Sequence, residues 1–238
     1  MKLDVLVISA HPDDMELSCS GTVASLISDG YKVGAVDITR GELGTRGTEE
    51  IRAAEAAKAT EILGLTAREN AGLPDGFFTN DKESRIAIAG YIRKYQPSIV
   101  IANAIEDRHP DHGKASGLTT DACFMAGLSK VPITVEGNSL SPWRPNAVYH
   151  YIQSNYIVPD LIVDISRFWD KKLAAMKAFK SQFYDPNSKE PDTYISSPQF
   201  LEFIEARCRQ WGQAIGTSYG EGFTVERHIG VKNLFDLI

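Results

Sequence analysis

The chain has 238 residues, 43% hydrophobic and 24% charged, with a formal net charge of −6. That length suits one large α/β domain or two small ones, and the acidic balance argues against a general nucleic-acid or membrane-surface binder. Three scattered cysteines, Cys19, Cys123 and Cys208, with no CxxC, suggest neither a disulfide framework nor a thiolate zinc site.

The opening MKLDVLVISA carries Asp4 inside a short apolar run, too interrupted for a signal peptide. No stretch approaches the ~18 apolar residues of a membrane span, so a cytoplasmic protein is expected. LDVLVIS reads as a buried strand. After an HPDD loop, residues 16–29 read as one helix, with Gly30 as its stop. YKVGAVDIT is a second strand and RGELGTRGT a loop. Thr48 starts a helix running to Leu63, with Glu49 and Glu50 suited to its first turn.

A short strand follows at 68–70, then the loop LPDGFF with turn signals Pro74, Asp75 and Gly76. Residues 84–95 read as a helix, PSIVIANA as a buried strand, IEDRHPDH as a second loop, and 113–125 as a helix. This alternation predicts an α/β fold: a Rossmann-like, mostly parallel sheet with helices on both faces. In the second half AVYHYI and LIVDIS read as strands, and 169–181 and 199–215 as helices. YDPNSKEPDTYISSP reads as a long surface loop, free to cover either an active site or a subunit contact. No repeat or composition shift divides the chain, so a single domain over 1–238 is expected.

The HPDD and HPDH loops each follow a predicted buried strand. In an open parallel sheet, the carboxyl ends of the strands form the binding crevice. His11, Asp13, Asp14, His109, Asp111 and His112 should therefore converge at one rim, and three of the five histidines sit there. Imidazole with carboxylate is a ligand set for Zn²⁺, and a catalytic site uses three protein ligands and keeps one position open. The surplus groups suit the base and acid that hydrolysis needs. Either loop alone could be a simple turn with a helix-capping aspartate. Their pairing is what favours a site.

AHPDD near the N-terminus with HPDH further on resembles the LmbE/PIG-L family of zinc-dependent N-acetylglucosamine deacetylases. Longer segments, GELGTRGTEEIRAAEA, EDRHPDH, SQFYDP and YGEGF, resemble the branch acting on N-acetylglucosaminyl-malate in bacillithiol biosynthesis. The resemblance implies one Zn²⁺ per chain on His11, Asp14 and His112, although such a ligand set also accepts Fe²⁺, Co²⁺ or Mn²⁺. It implies Asp13 as general base, His109 facing the reacting amide, and Asp111 hydrogen-bonded to His109. It implies Arg52 as a substrate-binding residue, Arg144 near the active-site rim, and a homo-oligomer as large as a hexamer.

The chain departs from the family's usual HPDDE at Met15, which separates Asp14 from Glu16. A tyrosine found shortly before HPDH in some relatives is replaced here by Ala104 and Ile105, with Tyr194 a candidate substitute. Arg40, Arg46 and Arg52 are candidates for the malate carboxylates, since arginine suits bidentate carboxylate recognition. The partner expected is thus a small N-acetyl sugar conjugate, not nucleic acid or membrane. A deacetylase of another N-acetyl sugar, or an amidase of a thiol conjugate, would use the same metal residues. A nucleotide-binding α/β protein would need GxGxxG after the first strand, where HPDD stands instead.

Overall fold

β1 (Val5–Ser9) is buried along its whole length. Leu6 and Ile8 face one core and Val5 and Val7 another, the alternation of a strand covered on both sides. The computed structural model, which describes residues 1–237, continues from this strand in both directions. β2 (Val33–Asp37) pairs with β1 in parallel, and β3 (Ala67–Asn70) pairs in parallel with β2. On the other side lie β4 (Ile99–Ala102) and β7 (Ala147–Tyr151), again parallel. β5 (Thr134–Val135) and β6 (Asn138–Ser139) form a separate small hairpin. β9 (Gly220–Val225) runs antiparallel to β7, and β8 (Leu161–Asp164) antiparallel to β9.

The result is a mixed seven-stranded sheet of order β3-β2-β1-β4-β7-β9-β8. The parallel part matches the sequence expectation. The antiparallel β9 was not anticipated, because its segment GEGFTV contains two glycines and lacks a clean strand pattern.

Helices cover both faces. α4 (Lys82–Tyr95) and α5 (Pro110–Ala126) bring Ile88, Ile92 and Leu118 against Leu6, Ile8 and Val36. The opposite face takes α1 (Asp14–Ser18), α2 (Ser20–Ser28), α3 (Glu49–Leu63) and α6 (Trp169–Met176). There Met15, Val23, Leu63 and Ala175 pack on Val5, Val7 and Ala35. α7 (Phe200–Ala214) adds an outer layer through Ile204 and Cys208. Thr48 caps α3 as expected, its Oγ1 accepting from the Ile51 amide at 3.3 Å.

Two helices differ from expectation. Residues 16–29 do not form one helix: the chain breaks at Cys19, and side chains from β9 and α6 occupy the break. α6 ends at Met176, and turns after it carry Phe179 and Phe183 into the core. Among the described residues, no helix is long and apolar enough to cross a membrane.

This order positions the site. From β1 the chain winds one way through β2 and β3, whereas β4 lies on the other side. Loops leaving the carboxyl ends of β1 and β4 therefore diverge and leave a crevice between them. HPDD follows β1 and HPDH follows β4.

Candidate active site

The crevice is a cleft of about 380 Å³ whose lining includes His11, Asp13, Asp14, His109 and His112. Asp13 has φ 111°, a left-handed conformation that aspartate tolerates better than most residues. It makes the turn from β1 into α1. Asp14, the first residue of α1, is held from several directions. Its carboxylate accepts from the His11 amide at 2.9 Å, from Asn103 Nδ2 at 3.1 Å and from Gln153 Nε2 at 2.5 Å. The Asn103 Oδ1 in turn accepts from the Ala10 amide at 2.7 Å, tying the end of β1 to the end of β4.

His11 and His112 share a pattern. The Nε2 of His11 lies 3.0 Å from Asp75 Oδ1, and its Nδ1 faces Asp14 Oδ2 at 3.5 Å. The Nδ1 of His112 makes a short hydrogen bond with Asp107, and its Nε2 faces Asp14 Oδ1 at 3.2 Å. Each ring thus has one nitrogen on an outer carboxylate and the other turned to Asp14. An outer carboxylate that fixes the tautomer is the usual support of a metal-ligating histidine. The 3.5 and 3.2 Å separations run to different oxygens of Asp14, Oδ2 for His11 and Oδ1 for His112. Donor atoms come within 4.8 Å of one another in two groups, His11 with His109 and His112, and His11 with Asp75 and Asp111, a donor chemistry that suits a divalent cation.

The electrostatics separate the two adjacent aspartates. Burial opposes ionisation of Asp14, but the charge of His112 and hydrogen bonds from both imidazoles outweigh it and lower its pKa. For Asp13, burial dominates and pushes the carboxyl up to about 7, against the pull of Arg52. Burial also works against charge on His112, yet Asp14 and Asp107 raise it to about 9. His109 moves the other way: burial, with His11 and His112 as neighbouring cations, lowers its pKa.

His109 is the N-cap of α5, and its Nδ1 accepts from the Asp111 amide at 3.3 Å. That bond leaves the proton of neutral His109 on Nε2. The expected Asp111–His109 hydrogen bond is present, but it is made by the Asp111 amide and not by its side chain. The carboxylate instead accepts from the Gly76 amide at 2.8 Å and from Lys114 Nζ at 3.1 Å, and lies 3.6 Å from His11 Nε2. As the first-turn residue after a capping histidine, Asp111 can offer its amide to that cap while its side chain points elsewhere.

The arginines divide. Arg52 reaches the cleft, where its Nη2 lies 3.4 Å from Asp13 Oδ2. The same guanidinium donates to Pro12 O at 2.6 Å and to Gly41 O at 3.2 Å. Arg40 pairs with Glu49 on an exposed groove beside α3, and Arg46 is buried against Ser188 and Glu190. Neither lines the cleft. Arg144 is also placed away from the rim. It precedes β7, so it sits at the opposite end of the parallel strands, donating to Phe124 O at 3.1 Å over that residue's ring.

Several residues that line the cleft or hold its side chains were missed. Asp75 and Asp107 stand in the loops after β3 and β4, the placement that exposed the two histidine motifs, and that position was the available signal. Gln153 follows β7 in the same way. Arg108 and Arg207 also line the cleft. Arg108 stacks on Tyr194, 4.2 Å from the ring centroid. Arg207, on α7, has an Nε buried without a hydrogen-bond partner. Arg207 with Tyr194 and Ile195 forms the wall contributed by the 183–198 loop and α7, and Arg108 meets it from the loop after β4.

Comparison with known proteins bears on this geometry. Residues 6–123 match the family model described as PIG-L, GlcNAc-PI de-N-acetylase. The chain is 32% identical over 228 residues to a diacetylchitobiose deacetylase of Thermococcus kodakarensis, covering 92% of this chain and 81% of that one. It is 28% identical to a 4-oxalmesaconate hydratase of Pseudomonas putida, covering 74% and 73%. A probable N-acetyl-alpha-D-glucosaminyl L-malate deacetylase 2 of Bacillus cereus is 26% identical, covering 89% and 100%. Among solved structures, a conserved protein of Thermus thermophilus superposes with a TM-score of 0.85 at 38% identity, covering 97% and 98%.

Proposed function

This chain belongs to the PIG-L family of de-N-acetylases, and from that premise we propose that it hydrolyses the acetamide of an N-acetylglucosamine conjugate. The observation that carries the reading is the paired arrangement of His11 and His112. Each is held by an outer carboxylate and turned to Asp14, with Asp13 alongside and left in a near-neutral pKa range.

A divalent cation, zinc by the family resemblance, would be held by His11, Asp14 and His112 and would supply Lewis acidity to the acetamide carbonyl and to water. Asp13, which lines the cleft beside Asp14, takes a proton from the attacking water. Arg52 orients Asp13 from 3.4 Å. Neutral His109 directs its Nε2–H toward the carbonyl oxygen as negative charge develops there. The C–O bond forms, the C–N bond breaks, and the departing nitrogen receives the proton that Asp13 took from the water. Acetate and a free amine leave.

For the conjugate itself, we propose the malate glycoside. Support comes from Arg108 and Arg207, cations on the cleft wall of an acidic chain. A guanidinium with a buried, unpartnered Nε is suited to a carboxylate that arrives with the substrate. The similarity to the B. cereus protein points the same way. The similarity to the chitobiose deacetylase favours a neutral disaccharide instead.

The deciding experiment incubates metal-loaded protein, with a chelated control, with N-acetylglucosaminyl-malate, diacetylchitobiose and N-acetylglucosaminyl-inositol, and measures free amine. Malate glycoside turned over at least about ten-fold better supports the reading, a margin one charged contact can supply. Preference for chitobiose overturns the malate assignment. No amine from any of the three, with hydration of an unsaturated dicarboxylate instead, overturns the deacetylase assignment.

A further inference from the structure

The break at Cys19 lies directly behind the residues that face the cleft. In an unbroken helix the carbonyls of Glu16 and Leu17 would accept from the amides of Ser20 and Gly21. Cys19 instead has φ −139° and ψ 14°, and the backbone groups freed around it are buried and need other partners. Lys172 Nζ donates to Glu16 O at 3.2 Å and to Leu17 O at 2.8 Å. Across the break, Glu221 Oε1 accepts from the Gly21 amide at 3.0 Å, and Oε2 from the Thr22 amide and Thr22 Oγ1, each at 2.7 Å. Lys172 and Glu221 then pair with each other at 2.8 Å, both wholly buried.

All three ammonium hydrogens are accounted for, and both carboxylate oxygens are used. The lysine meets the carbonyl end of α1 and the glutamate meets the amide end of α2. Each charge sits where the helix dipoles favour it. A buried ion pair is a poor device for stability alone, because an apolar pair of similar size often does as well. As an insert in a helix it has a geometric consequence: it stops α1 and α2 from fusing.

We propose that Lys172 and Glu221 are positioning residues for the metal-binding turn, holding Asp13–Ser18 as a separate unit and so fixing where Asp13 and Asp14 stand. Its consequence for catalysis rests on the deacetylase reading above; its consequence for metal binding rests only on Asp14 being a ligand, as proposed there. The lever is short, since Asp14 opens a five-residue helix whose fourth and third residues, Leu17 and Glu16, accept from Lys172.

The test uses Glu221→Gln, which keeps the shape and removes the charge, and Thr22→Val, a milder change that deletes one of the bonds to Glu221. Three quantities are measured: metal affinity by competition with a chromophoric chelator, the visible spectrum of the Co²⁺-loaded protein, and kcat and KM separately. Glu221→Gln should weaken metal binding about ten-fold or more and alter the Co²⁺ bands, as loss of a ligand's support does. Its kcat should fall about ten-fold with KM within about two-fold, the split expected when reacting groups are misplaced while binding survives. Thr22→Val should show the same changes at about two- to five-fold.

Parental metal affinity, Co²⁺ spectrum and kcat in Glu221→Gln, with only a lower melting temperature, would make the pair structural and overturn the proposal. If Glu221→Gln does not fold, the same result in Thr22→Val overturns it. The charge-swapped double variant, Lys172→Glu with Glu221→Lys, should not recover metal affinity, because each backbone end then faces the wrong charge; recovery also overturns the proposal. If the parent releases no amine from any conjugate while Glu221→Gln still weakens metal binding, the deacetylase reading fails and the positioning role stands.

Discussion

The two ends of this chain build one cleft by different means. The first 112 residues supply the proposed reacting groups in compact motifs: His11, Asp13 and Asp14 after β1, and His109 and His112 after β4. The residues beyond β7 supply single side chains from separated elements, among them Gln153, Lys172, Tyr194, Arg207 and Glu221. Chemistry that needs several groups within a few ångströms favours a short loop at a strand end. Support and substrate shape can come from anywhere the fold brings a side chain. A change in the first region should therefore alter the reaction, whereas one in the second should alter affinity or alignment.

The hardest test of that contrast is Asp13→Asn. Asparagine tolerates the left-handed backbone of this position, so the fold should persist. Turnover should fall about a thousand-fold, within the range for loss of a general base, while metal content measured by elemental analysis stays parental. Loss of the metal would make Asp13 a ligand and blur the division between the two aspartates. Next come Asp107→Ala and Asp75→Ala. Each should weaken metal binding by about 10–100-fold, as removal of a histidine's outer carboxylate does, read by chelator competition.

A smaller and more selective effect is expected in the second region. Arg207→Gln should lower kcat/KM for the malate glycoside about ten-fold, the worth of one hydrogen bond to a charged group. Diacetylchitobiose turnover should be unchanged. An equal loss on both substrates would mean that Arg207 shapes the cleft rather than selecting an anion. The smallest effect belongs to Thr48→Ala, far from the chemistry. Loss of the α3 cap should cost about 1 kcal/mol, seen as a drop of roughly 2–4 °C in Tm for a chain of this size, with kcat unaffected.

The same contrast explains what could be read in the sequence. β1, β2 and β4 are continuous apolar runs, and Thr48 with its acidic followers marks the start of α3, so local pattern sufficed for them. The histidine motifs were legible because strand, turn and ligand are contiguous. β9 was not, since GEGFTV gains its strand identity from β7 and β8 rather than from its own composition. The apolar spacing through residues 16–29 favours one helix, and the break depends on side chains at 172 and 221. For Asp111 the sequence offered a residue but not an atom: the bond to His109 runs from its amide. For Arg144, nearness to an active site could not be judged without knowing that β7 runs parallel to β4, which puts the residues before it at the end away from the cleft.

The ion pair behind the HPDD turn also sets an order of events during synthesis. Gly21 and Glu221 are separated by 200 positions along the chain. At about 5–20 residues per second, the turn waits on the order of ten to forty seconds for the carboxylate that completes its support. Until β9 joins the sheet, the turn has its own bonds and those from Asn103 but not the carboxylate that accepts from the Gly21 and Thr22 amides. A nascent chain would thus carry the letters of HPDD early and gain their full support in space almost last.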